Sequence, residues 1–158
     1  MKNLSSSGGA TDETDIATAL RRFANWAERA SSYAAKRLDL HVTDLNLVGL
    51  LLDRPQGMSP REIIEHLSLT SGAATALIDR LEKAGYVRRV PNPKDRRSVL
   101  IQLIPEAAEA PIAFYKARQD YYRNITANFS PEELSVVIRF LSEVIWIEPE
   151  GIVSTDEK

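Results

Sequence analysis

Nine lysine and arginine side chains are concentrated in the middle of the chain, between Arg54 and Arg97. Five acidic residues accompany them, so this segment carries a net charge of +4, whereas the rest carries −6 and the whole chain −2. Clustered guanidinium and ammonium groups bind the phosphates of a polyanion. Charge alone leaves two interpretations open, a polyanion-binding surface and a chance cluster on a solvated face. The basic residues are Arg54, Arg61, Arg80, Lys83, Arg88, Arg89, Lys94, Arg96 and Arg97.

The residue types that most enzymes and metal sites need are scarce. The chain has no cysteine, which excludes disulfides, a thiol nucleophile, a cysteine-ligated zinc site and thiol-based redox sensing. Its two histidines, His41 and His66, are far apart in sequence, so we expect surface or satisfied histidines rather than metal ligands. No Ser-His-Asp order, carboxylate pair or glycine-rich phosphate loop stands out. We therefore expect a protein that binds no metal or cofactor and is not an enzyme.

Length and composition indicate one globular unit. The 158 residues are 44% hydrophobic and 27% charged, which is ordinary for such a protein. The longest apolar run covers residues 47–52, and a membrane span needs roughly 20 apolar residues. The polar N-terminus lacks the apolar stretch of a secretory signal. We expect a cytoplasmic protein with no membrane partner, a flexible tail over residues 1–11 and a polar tail over 148–158.

Hydrophobic spacing and capping residues predict a series of helices before residue 85. An apolar stripe with a period of three to four residues runs from Ile16 to Leu38 and predicts a long first helix. Thr43 is a good N-cap for a second helix. Ser59-Pro60-Arg61-Glu62 has the pattern of a capping box and begins a short third helix. Thr70 or Ser71 then caps a fourth helix, whose buried stripe comprises Ala74, Leu77, Ile78 and Leu81.

After Gly85 the hydrophobic period changes from that of a helix to that of a strand. Residues 86–90 and 99–103 predict the two strands of a hairpin, joined by a long exposed loop over 91–97. Pro105 opens a further helical stretch, and the capping box at Ser130 begins a last helix. The sequence thus predicts a mostly α protein with a small β-hairpin, in which the middle helices and the hairpin form a winged helix-turn-helix.

That arrangement has a physical use, because an α-helix fits the major groove of DNA and can contact the base edges there. The preceding helix supports it, and a basic hairpin beside it reaches the neighbouring minor groove, where arginine follows the negative potential.

The residues of the hairpin carry a resemblance to a known family. GYVRR at 85–89, followed by PKDRR at 93–97 and a strand, resembles the wing of the MarR family of bacterial transcription regulators. LIDRLEKAG at 77–85 is similar to the end of that family's recognition helix. The resemblance covers residues 12–147 as a single unit. It implies dimerisation helices over 12–40 and 105–147 and a DNA-binding winged helix over 43–104.

The resemblance also implies the function. We expect a homodimeric, sequence-specific regulator, most simply a repressor, that binds a pseudo-palindromic operator in double-stranded DNA. The family pattern further implies a small aromatic or phenolic effector that releases the DNA. Ala76 stands where many members carry Arg or Lys, which leaves the operator sequence open. An alternative is a winged-helix protein-interaction module without specific DNA binding, favoured by Ala76 and by a pI of 5.8; a small metabolic enzyme is a third interpretation.

The candidate DNA-binding residues fall into three groups. At the wing, the resemblance implies that Arg96 or Arg97 enters the minor groove, that Lys94 contacts phosphate, and that Asp95 supports the wing by pairing with an arginine. On the fourth helix, Ser71, Thr75 and Arg80 are the main polar candidates, with Thr75 facing bases and Arg80 a phosphate. Ser59 and Arg61 at the third helix are candidates for backbone contacts. Solvated ion pairs and plain helix caps are the alternatives for these residues.

Aromatic residues on the predicted flanking helices suggest where an effector would bind. Trp26, Tyr33, His41 and Tyr115 are the candidates for a pocket between the dimerisation helices and the DNA-binding part. The alternative is that aromatic residues at helical spacing simply pack in the core or between subunits.

Overall fold

The computed structural model describes residues 13–145, without the side chains of residues 13, 14 and 96. Six helices and one hairpin follow one another within this range, which confirms the expected mostly α architecture with a β-hairpin. The order is α1 (Glu13–Arg37), α2 (Val42–Leu52), α3 (Pro60–Leu67), α4 (Ser71–Lys83), β1 (Val87–Asn92), β2 (Asp95–Leu103), α5 (Glu109–Thr126) and α6 (Pro131–Ile145). The predicted tails over 1–11 and 148–158 lie outside the described residues.

The start of α2 differs from the sequence prediction. The helix begins at Val42, so its N-cap position is His41 and not Thr43. The backbone N–H of His41 donates to Oδ2 of Asp44 at 2.9 Å. A carboxylate three positions into the helix closes the first turn in this way, because it accepts an N–H that has no partner within the helix. The wrong assignment arose because Thr43 is the stronger capping residue by type, whereas the cap here depends on Asp44.

Helices α3 and α4 begin where the capping signals predict. Ser59 caps α3, and its hydroxyl accepts from the backbone N–H of Glu62 at 3.3 Å. Thr70, rather than Ser71, caps α4, and its hydroxyl accepts from the backbone N–H of Ala73 at 3.2 Å. These bonds satisfy donors at the two helix starts, which fixes where each helix begins.

A compact apolar core holds α2, α3, α4 and the hairpin together. Because helical residues three and four positions apart lie on one face, the stripes predicted from the sequence meet at this core. Its buried members are Leu47, Leu51, Met58, Ile63, Leu77, Ile78, Leu81, Val87 and Ile101. Leu47 and Leu51 come from α2, and Val87 and Ile101 from the hairpin, so the core fixes α4 between the supporting helices and the wing.

The hairpin is longer and its turn is shorter than the sequence predicted. Strands β1 and β2 pair antiparallel from Val87–Leu103 to Asn92–Asp95, so Pro93 and Lys94 alone form the turn. The long loop predicted over 91–97 is therefore wrong, and the backbone of residues 95–97 belongs to β2. A two-stranded sheet tolerates Pro91 because each strand has a free edge where no N–H is needed. The register shifts between Pro91 and Asn92.

The wing is also tied to the segment that precedes α3. The backbone N–H of Met58 donates to the carbonyl of Ile101 at 3.0 Å, and that of Ile101 donates to the carbonyl of Met58 at 2.7 Å. Gly57 lies next to this bridge with a φ of +89°, and a Cβ there would come within 2.7 Å of the Ile101 carbonyl oxygen. Only glycine fits this close approach, so β2 lies directly against the α3 region.

The chain divides into two compact units, one that ends at Phe114 and one that begins at Tyr115. In the first unit, α1 contributes Ala34 and Ala35 to the buried interior. Ala108, which precedes α5, and Ile112 in its first turn are buried as well. In the second unit, no residue of α6 is buried. None of the helices within residues 13–145 combines the length and the hydropathy that a membrane-spanning helix needs.

Candidate nucleic-acid interface

The outward face of α4 carries small and weakly polar side chains. Ser71, Thr75 and Ala76 are exposed on this helix, opposite the buried stripe. The hydroxyl of Thr75 donates to the backbone carbonyl of Ser71 at 2.9 Å. This bond uses the hydroxyl proton of Thr75, but its oxygen retains acceptor capacity. The face can therefore approach a flat or grooved surface closely and offers few hydrogen-bonding groups to it.

Arg80 has a protein partner that the sequence analysis did not anticipate. Its Nε donates to both carboxylate oxygens of Asp44, at 3.0 and 3.1 Å, and its Nη2 donates to Oδ1 of the same residue. Asp44 is 1% exposed, whereas Arg80 is 41% exposed. The hydrogen bonds to Asp44 raise the pKa of the Arg80 guanidinium. Sequence reasoning missed Asp44 altogether, because no local pattern signals a partner 36 positions away.

Two of the described side chains at the tip of the wing are cations, Lys94 and Arg97. The backbone N–H of Lys94 donates to Oδ1 of Asn92 at 2.9 Å, which closes the turn in the manner typical of asparagine. Nδ2 of Asn92 donates to the hydroxyl of Ser98 at 2.9 Å, which links the two strands beside the turn. Lys94 and Arg97 are exposed, and their side chains make no ion pair with any described side chain. The side chain of Arg96 lies outside what the structure describes.

The carboxylate of Asp95 contacts the backbone of the wing. Its Oδ1 accepts from the backbone N–H of Arg97 at 3.0 Å, and its own carbonyl accepts from the hydroxyl of Ser98 at 3.1 Å. No ion pair joins Asp95 to an arginine among the described side chains, which do not include that of Arg96, so the expected pairing with an arginine stays a prediction. The contact with Arg97 joins the carboxylate of Asp95 to the backbone at the start of β2, and a supporting role of Asp95 in the wing stays a prediction.

Arg89 joins the wing to α4, and sequence reasoning missed this role too. Its Nη2 donates to Oδ1 of Asp79 at 2.6 Å, and its Nη1 pairs with Glu82. The hydrogen bond to Asp79 raises the pKa of the Arg89 guanidinium. One guanidinium with two carboxylate partners is the geometry that the planar fork of arginine favours. The sequence does show part of this arrangement. Asp79 and Glu82 are three residues apart on α4, so their carboxylates lie on the same face of the helix.

The two candidates at α3 are both engaged within the protein. Ser59 donates its hydroxyl proton to Oε2 of Glu62 at 2.7 Å, and its backbone N–H donates to the same oxygen at 2.7 Å. Nε of Arg61 donates to Oε1 of Glu65 at 2.9 Å in an exposed pair. The cap occupies the hydroxyl of Ser59, whereas the exposed pair of Arg61 with Glu65 is weak and leaves the guanidinium accessible. A phosphate contact through either residue stays a prediction.

The remaining cations of the basic segment divide in the same way. Arg54 Nη2 lies 2.8 Å from Nε2 of His66, whose Nδ1 lies 2.9 Å from the carbonyl of Glu62. A carbonyl only accepts, so Nδ1 carries the proton and Nε2 accepts from Arg54. Arg88 Nη2 donates to Oε1 of Gln102 across the hairpin at 3.3 Å. Five of the basic residues therefore have side-chain partners within the protein. Lys83 on α4 and Lys94 and Arg97 at the wing tip are exposed and make no ion pair with a described side chain.

The four effector-pocket candidates lie on α1, at the N-cap of α2 and on α5. Trp26 and Tyr33 are exposed on α1, with the Phe23 and Trp26 rings stacked at 6.0 Å between centroids. Nη1 of Arg37 donates to the Tyr33 hydroxyl at 3.3 Å. His41 is exposed at the start of α2. Tyr115 belongs to the second unit, where Arg118 lies over its ring at 4.8 Å. Their role in an effector pocket stays a prediction.

The first unit contains two capped helices, α3 and α4, and one face of α4 is exposed. It also has an antiparallel hairpin, fixed to that helix and carrying cations at its tip. This is the construction of a winged helix-turn-helix. Within residues 13–145, no group of three His, Asp or Glu side chains is arranged to hold a metal ion.

Comparison with known proteins gives the same class. A family model described as MarR family matches residues 38–98. The uncharacterized HTH-type transcriptional regulator YcgE of Bacillus subtilis (strain 168) is 31% identical over 119 residues, which is 75% of this chain and 77% of YcgE. The multiple antibiotic resistance protein MarR of Salmonella typhimurium is 33% identical over 89 residues, 56% of this chain and 62% of that protein. A solved structure of the multiple antibiotic resistance repressor MarR has a TM-score of 0.60 at 25% identity and covers 82% of this chain and 94% of that one.

The chain belongs to the MarR family of DNA-binding transcription regulators. The resemblance inferred from the residues of the wing and α4 is thereby confirmed. These relatives are named as regulators and not as enzymes.

Proposed function

We propose that this regulator is a homodimeric repressor that binds a pseudo-palindromic operator and releases it when a small aromatic or phenolic ligand binds. In each subunit, α4 enters the major groove and the wing reaches the adjacent minor groove. The two α4 helices then contact half-sites about 34–36 Å apart, one turn of the DNA. Such a protein acts in the cytoplasm, where its DNA is found.

One observation carries the DNA-binding part of the proposal. Lys94 and Arg97 are exposed at the wing tip without acidic partners in the described part of the chain, whereas Arg61, Arg80 and Arg89 are all paired with carboxylates. Free cations at the end of a rigid hairpin are available for phosphates. Two exposed cations without acidic partners on one hairpin turn favour polyanion binding at the wing over a chance cluster of charge.

The exposed apolar side chains of the flanking helices support dimerisation. On α6, Val136, Ile138 and Phe140 are exposed, with Ile138 64% exposed. On α1, Phe23 and Trp26 are also exposed. Apolar surface of this extent is typical of a subunit interface, and two-fold dimers are the commonest soluble assembly. The proposal therefore assigns residues 12–40 and 105–147 to dimerisation and 43–104 to DNA binding.

Repression and its relief rest on the comparisons and on composition. One solved structure that covers 82% of this chain bears the name repressor, and we extend that sign of regulation to this protein. An aromatic ligand suits the aromatic residues Trp26, Tyr33 and Tyr115. Such a ligand dissociates the DNA only when it binds a non-matching arrangement of the two α4 helices more tightly than the matching one.

Fluorescence anisotropy tests the proposal directly. The full-length protein is titrated into a labelled duplex from the DNA flanking its own gene and into a scrambled duplex, each at low and moderate salt. We expect tight, salt-dependent binding with a clear preference for the flanking DNA. Light scattering of the same sample at micromolar concentration should give the mass of a dimer.

Two results would contradict the proposal. A monomer at micromolar concentration would remove the two-fold basis of operator recognition. Absence of binding to either duplex even at low salt would favour a winged-helix module that binds other proteins. In that case the small exposed face of α4 around Ala76 would be the surface to test against protein partners.

A further inference from the structure

The carboxylate of Asp44 is the one buried charged side chain in the described part of the chain. It lies in the first turn of α2 and has two kinds of partner. The backbone N–H of His41 donates to Oδ2 at 2.9 Å, and Nε and Nη2 of Arg80 donate to the same carboxylate from α4. A buried carboxylate is costly unless its oxygens are satisfied, and here both oxygens have donors.

The geometry of this contact fixes more than a charge. The guanidinium of Arg80 approaches Asp44 along the edge formed by Nε and Nη2, so both the distance and the plane of the pair are defined. Asp44 is held in turn by the backbone of His41 at the junction between α1 and α2. The position of α4 relative to α2 is therefore set by a directional contact in addition to apolar packing.

The neighbour of Arg80 makes the corresponding contact on another side. Asp79 pairs with Arg89 of β1 at 2.6 Å between Oδ1 and Nη2. Two consecutive residues of α4 thus bind two different elements, α2 through Arg80 and the wing through Asp79. Because these contacts diverge from one point on the helix, together they restrict its rotation about its own axis.

We propose that Asp44 and Arg80 are positioning residues for operator recognition. They act by holding α4 in the orientation that presents Ser71 and Thr75 to the bases, and Arg80 is not itself a phosphate ligand. This inference rests on the proposed function, because it concerns how the DNA-reading helix is held. It replaces the expectation, drawn from the sequence, that Arg80 contacts the DNA backbone.

Positioning matters here because the reading face is sparse. Base contacts require donor and acceptor atoms within a few tenths of an ångström of their places. A helix with many long polar side chains can adjust to a small rotation, whereas a face formed by Ser71, Thr75 and Ala76 has no long side chain with which to adjust. Loss of the contact should therefore affect sequence preference more than attraction to phosphates.

Substitutions at both ends of the pair test the proposal. Asp44→Asn, Arg80→Met and Arg80→Lys are titrated into the operator duplex and the scrambled duplex over a range of salt concentrations. We expect each to lower operator affinity by roughly tenfold, the loss typical of one misplaced base contact. We expect little change with the scrambled duplex and an unchanged slope of log affinity against log salt. The double variant Asp44→Asn/Arg80→Met should lose no more than either single variant, because one contact is removed in all three.

Arg80→Lys separates positioning from direct phosphate contact. Lysine keeps the charge that a phosphate needs but lacks the fork that matches Asp44. Binding by Arg80→Lys like the wild type, together with a salt slope reduced by about 0.9 in Arg80→Met, would show a phosphate contact and overturn the proposal. An Asp44→Asn variant with unchanged or raised operator affinity would overturn it as well, since that substitution frees Arg80 for DNA.

Controls separate a local effect from unfolding and from failure of the proposed function. Circular dichroism establishes that each variant is folded at the assay temperature, and if Asp44→Asn is not, Arg80→Lys decides. Asp120→Asn and Arg123→Met remove the same charges from the exposed pair Asp120–Arg123 on α5. Light scattering establishes that these two variants are still dimers, and as dimers they should bind as the wild type does. Normal DNA binding by the wild type with normal binding by all Asp44 and Arg80 variants overturns this inference alone. Absence of DNA binding by the wild type overturns the proposed function.

Discussion

Asp79 on α4 and Arg89 on β1 are joined by an ion pair, with 2.6 Å between Oδ1 and Nη2. Arg89 also pairs with Glu82, one turn further along the same helix. The recognition helix and the wing are therefore linked by side chains as well as by the chain itself. Because the orientation of α4 is tied to that of the wing, the two elements present a single surface to a DNA duplex.

Loss of this link should loosen the wing. We expect Arg89→Met to raise the rate of amide hydrogen exchange in β1 and β2 and to lower DNA affinity by a few-fold, because the hairpin must then be ordered on binding. Hydrogen exchange followed by mass spectrometry measures the first effect and anisotropy the second. Arg88→Met is the matched control, since Arg88 contacts Gln102 within the hairpin only. Identical exchange in the two variants would show that the pairs with Asp79 and Glu82 do not hold the wing.

The wing tip should contribute attraction without sequence preference. We expect Arg97→Ala and Lys94→Ala each to weaken binding to operator and scrambled duplexes alike, by roughly tenfold at low salt, and to reduce the salt slope by about 0.9. Thermal stability should stay unchanged, because neither side chain has an acidic partner to lose within the described residues. Arg22→Ala, an exposed cation on α1, serves as the control for net charge. A slope equal to that of the wild type would place the wing tip away from the phosphates.

Thr75 should affect which sequence is bound. Thr75→Val keeps the shape and the methyl group but removes the hydroxyl that can accept a hydrogen bond from a base. We expect reduced discrimination at one or two base pairs, by about tenfold, and unchanged binding to scrambled DNA. Competition with duplexes that carry single base-pair changes measures this. Thr126→Val is closely matched, because Thr126 makes the same hydroxyl-to-carbonyl bond within α5. Equal discrimination profiles for the Thr75 and Thr126 variants would exclude Thr75 from base contact.

The cap of α3 should make stability depend on pH. The backbone N–H of Ser59 and then its hydroxyl lower the pKa of Glu62 below its ordinary value of 4.5. A carboxyl group with a lowered pKa in the folded protein stabilises the fold above its unfolded pKa, and this contribution is lost as the pH falls through the folded value. We expect the gap in melting temperature between wild type and Glu62→Gln to be widest near neutral pH and to close below about pH 4. Thermal denaturation from pH 3 to 7 checks this, and a gap of constant size would contradict it.

Local features of the fold were predictable because they depend on residues close together in sequence. Ser59 and Glu62, three residues apart, are enough to begin α3, and Gly85 with a φ of +80° ends the α4 turn as a glycine should. The wing was recognised from the motif over 85–97. Its turn was misjudged because proline usually breaks strands, whereas Pro91 lies in a hairpin that has no third full strand to pair with its edge.

The contacts that hold the candidate interface were not predictable, because they join distant parts of the chain. Asp44 and Arg80 are 36 residues apart, and nothing near Asp44 marks it as the buried partner of a cation. Arg80 and Arg97 contribute equally to the charge of the basic segment. In the folded protein Arg80 is paired with the buried carboxylate of Asp44, whereas Arg97 is paired with no described carboxylate. The partners that side chains find in the folded protein decide which cations can bind DNA. The sequence alone does not show those partners.

The hairpin ends in a turn of only two residues, Pro93 and Lys94, so the length of its strands sets how far the wing tip extends. Where residues 87–91 pair regularly with 99–103, the length of the hairpin is counted in residues, at about 3.4 Å for each. One residue added to each strand would extend the hairpin by about 3.4 Å and would move the side chains beyond the insertion to the opposite face. Two added to each would restore the facing and overshoot the groove by nearly 7 Å. Among regulators built on this plan, changes in wing length should therefore occur in steps of two per strand.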